Sequence, residues 1–308
     1  MATSPPTLLD VNFSTLMRRR VCTKSTFERL EASRRAREHR SPVAKQSQAQ
    51  RAEASSGSVA NSNAEGILQG LNSSPDLRPF AAICVTACLS LLFVEFAGRP
   101  VAFQYFLPSY GTRFDSYWVL RQKTWWIGCT ILGYVALPTI AMLLLPGRRL
   151  RECNFSWRGF VDHSRIYAGL YLLVLPAIWL VSLRADFYTF YPMYGQAGRS
   201  WFDLLAWEGM YLAQFIALEF FFRGFLVGGL SKHIGVLAVP VSVMPYMMIH
   251  FTKLWPEATA SIVAGLVLGY LAWRTKSIWG GVCVHCAVAM TMDLLALAHK
   301  GQLPWLHG

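Results

Sequence analysis

Residues 204–229 read LLAWEGMYLAQFIALEFFFRGFLVGG. A bilayer crossing takes about 20 apolar residues, and this run is long enough for one. Yet it carries Glu208, Glu219 and Arg223. Glu219 and Arg223 stand four positions apart, so on a helix they share a face and can pair. A carboxylate at bilayer depth costs at least about 2.5–3.5 kcal/mol, which makes it a functional candidate by default. The composition fits a membrane setting: mean hydropathy is +0.33 and 15% of residues are charged, against about 25% in soluble domains. The 11 Trp, 12 Tyr and 19 Phe supply side chains suited to the bilayer interface.

Outward from this run, six more apolar segments lie at about 80–97, 125–146, 166–183, 235–252, 259–273 and 278–298. The expected fold is all-α, a polytopic transmembrane helical bundle of about seven spans over residues 78–300. Residues 1–77 are rich in Ser, Ala, Arg, Gln and Asn, and read as a disordered basic tail. No apolar run follows the early Arg cluster, so the tail does not read as a secretory signal peptide.

The net charge of +12 is spread over the tail and the short connections. There is no zinc-finger spacing and no RNA-binding aromatic signature, so the charge reads as orientation and lipid contact, with no nucleic-acid partner. Arg148, Arg149, Arg151, Arg158 and Arg165 crowd one connection, Lys232 lies in another, and Arg274 and Lys276 in a third. With the tail, these place the amino terminus and the three connections in the cytoplasm. Arg99, Arg113, Arg121 and Lys123 are spread over a longer aromatic loop on the opposite side. Cys283 and Cys286 flank His285 in the stretch CVHC and read as small packing residues of a membrane helix.

Glu95 and Glu208 lie near segment ends, where headgroup exposure is cheap. Glu219, Arg223, His250, His285 and Asp293 lie deeper. With a rise of 1.5 Å per residue, Glu219 is ~16 Å deep, Arg223 ~10 Å, His250 ~22 Å, His285 ~10 Å and Asp293 ~22 Å. An acid, two imidazoles and a second acid thus reach overlapping depths on neighbouring spans, and Asp293 shares a face with His285.

LEFFFRG at 218–224, YMMIHF at 246–251 and SIWGGVCVHCAVAMTMD at 277–293 together resemble the CPBP family. That family includes type II CAAX prenyl endopeptidases and Abi-type membrane proteases, with signatures EExxxR, FxxxH and HxxxN or HxxxD. The resemblance covers about residues 200–298. By position, Glu219 matches the second Glu, Arg223 the Arg, Tyr246 the Phe, and His250 and His285 the two histidines. Leu218 stands where the first Glu belongs, and Ala289 where the Asn or Asp belongs. Asp293, one turn beyond Ala289, is the candidate replacement.

The resemblance implies an intramembrane endopeptidase acting on membrane-anchored or lipidated substrates, including CAAX-type prenylated ones, in a bacterial inner membrane or a eukaryotic internal membrane. Glu219 is expected to act as general base on a water shared with His250, Arg223 to orient Glu219, and His285, with Asp293, to hold the carbonyl oxygen. No cofactor is expected, although zinc on His250, His285 and a carboxylate has plausible ligand chemistry. Leu218 and Ala289 keep a rival open, a catalytically inactive scaffold of the same fold. A proton-coupled transporter is a third class, for which no inverted repeat is visible.

Overall fold

The computed structural model describes residues 77–304 apart from 110, 112–113 and 146–149. The basic tail expected over 1–77 lies outside these residues except for Leu77, which opens the first helix. Among the described residues there is no strand, only an isolated bridge between Phe155 and Ser277.

Among the described residues six helices are long and apolar enough to cross a membrane: Arg78–Ala97, Trp118–Leu144, Ser164–Ser182, Trp201–Met248, Trp255–Thr275 and Trp279–His299. The α-helices ahead of Trp201 are α1 (Leu77–Ala97), α2 (Pro100–Phe106), α3 (Trp118–Ile131), α4 (Leu137–Leu144), α5 (Trp157–Val161), α6 (Ser164–Ser182) and α7 (Ala185–Phe190). The chain is a multi-pass integral membrane protein built as an all-α bundle. Large apolar side chains such as Leu143, Leu144, Leu172, Leu173 and Leu180 point outward, where lipid replaces water.

The fourth apolar segment of the sequence and most of the fifth fall within Trp201–Met248. At 48 residues, a straight rod would measure ~72 Å against a hydrocarbon core of ~30 Å. The stretch therefore bends back. Its first limb is α8 (Trp201–Glu219), a π-helical segment (Phe220–Gly228) and α9 (Gly229–Ile234). Ser200 starts it, its hydroxyl accepting from the Asp203 amide. Gly235, at φ +59, turns the chain. The second limb, α10 (Ala238–Met248), has only 11 residues and rises ~16 Å, half the hydrocarbon thickness.

The chain then turns through 249–254 into α11 (Trp255–Thr275). Irregular backbone at membrane depth is tolerated only where protein buries it or it lines a cavity. Here His250, Phe251, Thr252 and Lys253 form part of a cavity wall. Close packing holds α10 to α11. A Cβ added at Gly265 or Gly269 would lie 3.0 Å from the Val243 or Val239 methyls, the small-xxx-small device of membrane helix pairs.

One end of the bundle gathers three basic connections. Lys232 pairs with Glu152 at 2.5 Å. The Ser156 amide donates to the Lys276 carbonyl and the Ile278 amide to the Asn154 carbonyl, both at 2.8 Å. α12 (Trp279–His299) leaves from this end.

Candidate active site

The site sits where α8 gives way to π-helical turns. Arg223 lies within the π segment, and Asn154 Nδ2 donates to its carbonyl at 2.8 Å. The widened turn thus has a partner for a backbone group that an α-helical ladder would otherwise engage.

Glu219 is fully buried. Its Oε1 accepts from His285 Nδ1 at 2.6 Å and lies 3.3 Å from Arg223 Nη1. Gly281, one turn before His285 on α12, makes room for this carboxylate: a Cβ there would fall 2.2 Å from Glu219 Oε2. The Arg223 guanidinium carbon lies 4.0 Å from the centre of the Tyr246 ring, a cation–π contact in a dry setting.

With Nδ1–H donating to the carboxylate, Nε2 is the ring nitrogen left to accept, and Tyr246 donates its hydroxyl to it at 3.0 Å. Phe215 stacks on the same imidazole, centroids 5.1 Å apart and 12° from parallel. His250 follows Tyr246 by one turn. Its Nδ1 donates to the Tyr246 carbonyl at 2.8 Å, which leaves Nε2 as an acceptor. The rings of Tyr246 and His250 meet edge-on at 4.7 Å.

His250, His285 and Tyr246 line a cavity of about 1330 Å³ whose wall is mainly apolar, whereas Glu219 is not part of that wall. The carboxylate reaches the cavity only through His285. The arrangement is therefore a chain: Arg223 and Glu219 inside, His285 in the middle, Tyr246 and His250 at the surface of the cavity. Leu218 and Ala289 line the same cavity.

Asp293 does not join this chain. It lies eight residues, or ~12 Å, further along α12, is fully buried, and accepts from Trp207 Nε1 at 2.7 Å. Glu208, expected near the headgroups, is instead only 7% exposed and faces Asp293, with both its carboxyl oxygens lacking a hydrogen-bond partner. Position in an apolar segment could not reveal this, because the Trp201–Ile234 limb runs well past the hydrocarbon thickness. The Tyr246 hydroxyl joins the site as well, and its signal in the sequence is the tyrosine at a position where the family pattern has phenylalanine. Among the described residues no group of three or more His, Cys, Asp and Glu is placed to hold a metal ion. Both nitrogens of His285 are engaged by Glu219 and Tyr246.

Residues 200–291, which hold Glu219, Arg223, Tyr246, His250 and His285 but not Asp293, match the family model described as type II CAAX prenyl endopeptidase Rce1-like. No curated protein and no solved structure matches the chain.

Proposed function

We propose that the chain is a working intramembrane endopeptidase centred on His285 and Glu219, a reading that starts from the match of residues 200–291 to the Rce1-like family model. The observation that carries this reading is the 2.6 Å contact between a fully buried carboxylate and an imidazole on the wall of a large apolar cavity.

The attacking water sits in the cavity against the two imidazoles. His250 Nε2 accepts one of its hydrogens and orients it. As water attacks the peptide carbonyl, His285 Nε2 takes the other proton, and the C–O bond forms. The imidazolium that results is held by the Glu219 carboxylate at Nδ1, in the manner of acid–imidazole pairs elsewhere. Tyr246, released from Nε2 by that proton, donates its hydroxyl to the developing oxyanion. His285 then passes the proton to the amide nitrogen, the C–N bond breaks, and an amine and a carboxylic acid form, the acid's proton passing to the amine as the two leave. Arg223 holds Glu219 ionised and in place. Asp293 has no part in these steps and is a structural group. The apolar wall suits a membrane-anchored or lipidated peptide, prenylated CAAX ends among them.

A second reading, an inactive scaffold that binds such peptides, is favoured by Leu218 and Ala289, two apolar residues on the cavity wall where the family pattern has polar ones. Purified protein in lipid vesicles, given a terminally tagged membrane peptide, separates the two. Under the protease reading Glu219→Gln, which keeps an acceptor for Nδ1 but loses the charge, cleaves about 10²–10⁴-fold more slowly. Cleavage at the wild-type rate would remove Glu219 from the chemistry. Absence of cleavage by the wild type, together with tight binding of the peptide, would favour the scaffold.

A further inference from the structure

Three membrane-crossing helices reach the basic end of the bundle. α6 begins there at Ser164, α11 ends at Thr275 and α12 begins at Trp279. Residues between these helix ends therefore lie at headgroup level. α5 packs on the turn from α11 to α12. Gly159 lets it close in, since a Cβ there would fall 2.0 Å from the Thr275 carbonyl oxygen. The Ser156 amide donates to the Lys276 carbonyl at 2.8 Å, and Trp157 meets Trp279 edge-on with ring centres 5.7 Å apart.

Four exposed cations belong to these segments: Arg158, Arg165, Arg274 and Lys276. Among the described residues none of the four has a carboxylate partner. Glu152 is taken by Lys232, and Asp162 pairs with none of them. The opposite end is built differently. Arg99, Arg121, Arg184 and Arg199 each hold a carboxylate, from Glu95, Asp115, Asp186 and Asp203. There the protein neutralises its own surface charge, and at the basic end it does not. The dipole at the end of α11 offers Arg274 and Lys276 only roughly half a charge. Apolar groups stand among these cations. Trp157 is 60% and Val161 52% exposed, one turn apart on one face of α5. Lys276 Nζ lies 5.4 Å from the Trp273 ring centre. Cations set beside exposed indole at headgroup level match one partner, a phospholipid. Its phosphate meets the charges and its glycerol region meets the rings.

We propose that Arg158, Arg274 and Lys276, with Trp157 beside them, form a docking surface for the headgroups of anionic phospholipids. The orientation rule gives this end the cytoplasmic leaflet, where such lipids gather. The surface is tied to the site. The connection that carries it also supplies Asn154 to the Arg223 carbonyl, and its Glu152 and Cys153 carbonyls leave no room for a Cβ at Gly228 or Gly224 of the π segment. A docked headgroup thus clamps the connection that holds the Arg223 turn. The docking chemistry does not rest on the protease reading.

The test places the full chain in phosphatidylcholine nanodiscs with a trace of photoactivatable phosphatidylserine or, in parallel, photoactivatable phosphatidylcholine. Crosslinks are mapped by mass spectrometry and their initial yields compared. In the wild type the serine lipid marks residues 157–165 and 273–279. It exceeds the choline lipid there by about 10–100-fold at low ionic strength, since each basic residue at a membrane surface is worth about fivefold. That ratio falls toward one at about 1 M salt, where the screening length is ~3 Å. Arg158→Gln/Arg274→Gln/Lys276→Gln brings the low-salt ratio near one. Arg158→Lys/Arg274→Lys/Lys276→Arg keeps it within about threefold of wild type. Equal marking by the two lipids in the wild type overturns the proposal before any variant is made. So does a ratio that the glutamine variant retains, or serine-lipid marking confined to other segments, the basic tail included. With phosphatidylserine as a main lipid, the thermal midpoint of the wild type rises and that of the glutamine variant does not. A midpoint indifferent to lipid charge overturns the clamp.

Discussion

Tyr246 is the residue on which the site turns. The family pattern puts a phenylalanine there, and this chain adds one oxygen. The ring packs against Arg223, Phe222 and His250 as a phenylalanine could, but the hydroxyl reaches His285 Nε2. Tyr246→Phe therefore keeps the packing and removes the donor that the proposed mechanism offers to the oxyanion. Loss of such a donor typically costs about 10²–10³-fold in kcat, and kcat for tagged-peptide cleavage should fall in that range while KM moves little. An unchanged kcat would mean that the hydroxyl serves only to fix the imidazole. Gly281 is the complementary case. Any Cβ there overlaps the Glu219 carboxylate, so Gly281→Ala must push Glu219 off His285. It should lower both the thermal midpoint and cleavage, whereas Gly209→Ala, whose added Cβ meets nothing within 4 Å, should do neither. At this scale Glu219, Arg223, His250 and His285 were legible because charge and imidazole are conspicuous in an apolar run. The Tyr246 hydroxyl and the Glu208–Asp293 proximity were not, since both depend on which helix faces which.

The elements explain why a carboxylate and a guanidinium can sit inside lipid. A π-helical segment widens the turn that carries Arg223, and Asn154, from a connection far away in sequence, takes up the carbonyl of that residue. Asn154→Ala leaves a buried carbonyl without its donor, which typically costs about 1–3 kcal/mol. Unfolding of the detergent-solubilised protein by heat or denaturant should register that loss. A variant as stable as wild type would mean that the π segment holds itself. Nothing in the run FFFRGFLVG distinguishes α from π turns, because the choice is made by Asn154 and the packing around it. The same limit applies to α10. The sequence placed an apolar segment at 235–252 correctly, but only the folded chain ends its helix at Met248 and spends 249–254 on the cavity wall.

At the scale of the whole molecule, the three basic connections meet at one end of the bundle, and the orientation rule puts that end in the cytoplasm. In sealed vesicles of known sidedness, an impermeant maleimide should label Arg158→Cys from the cytoplasmic face only and Thr189→Cys from the opposite face only. The native thiol nearby adds no background: Cys153 is fully buried, and burial pushes its pKa up to about 12, so it stays protonated and unreactive. The reverse labelling pattern would invert the topology. The all-α multi-pass architecture was legible from hydropathy, since every lipid-facing backbone group must be satisfied within its own helix. The cavity was not, because it is enclosed by side chains from separated segments. Whether that cavity hydrolyses peptides decides between protease and scaffold. The direct measurement is mass spectrometry of a membrane-anchored peptide incubated with the purified full chain in vesicles prepared in heavy-oxygen water. Two fragments are expected, with one labelled oxygen in the new carboxyl group, and no such products from His285→Ala. An intact peptide with the wild type, alongside labelled fragments once Leu218→Glu is introduced, would contradict the protease reading and leave the protein a scaffold.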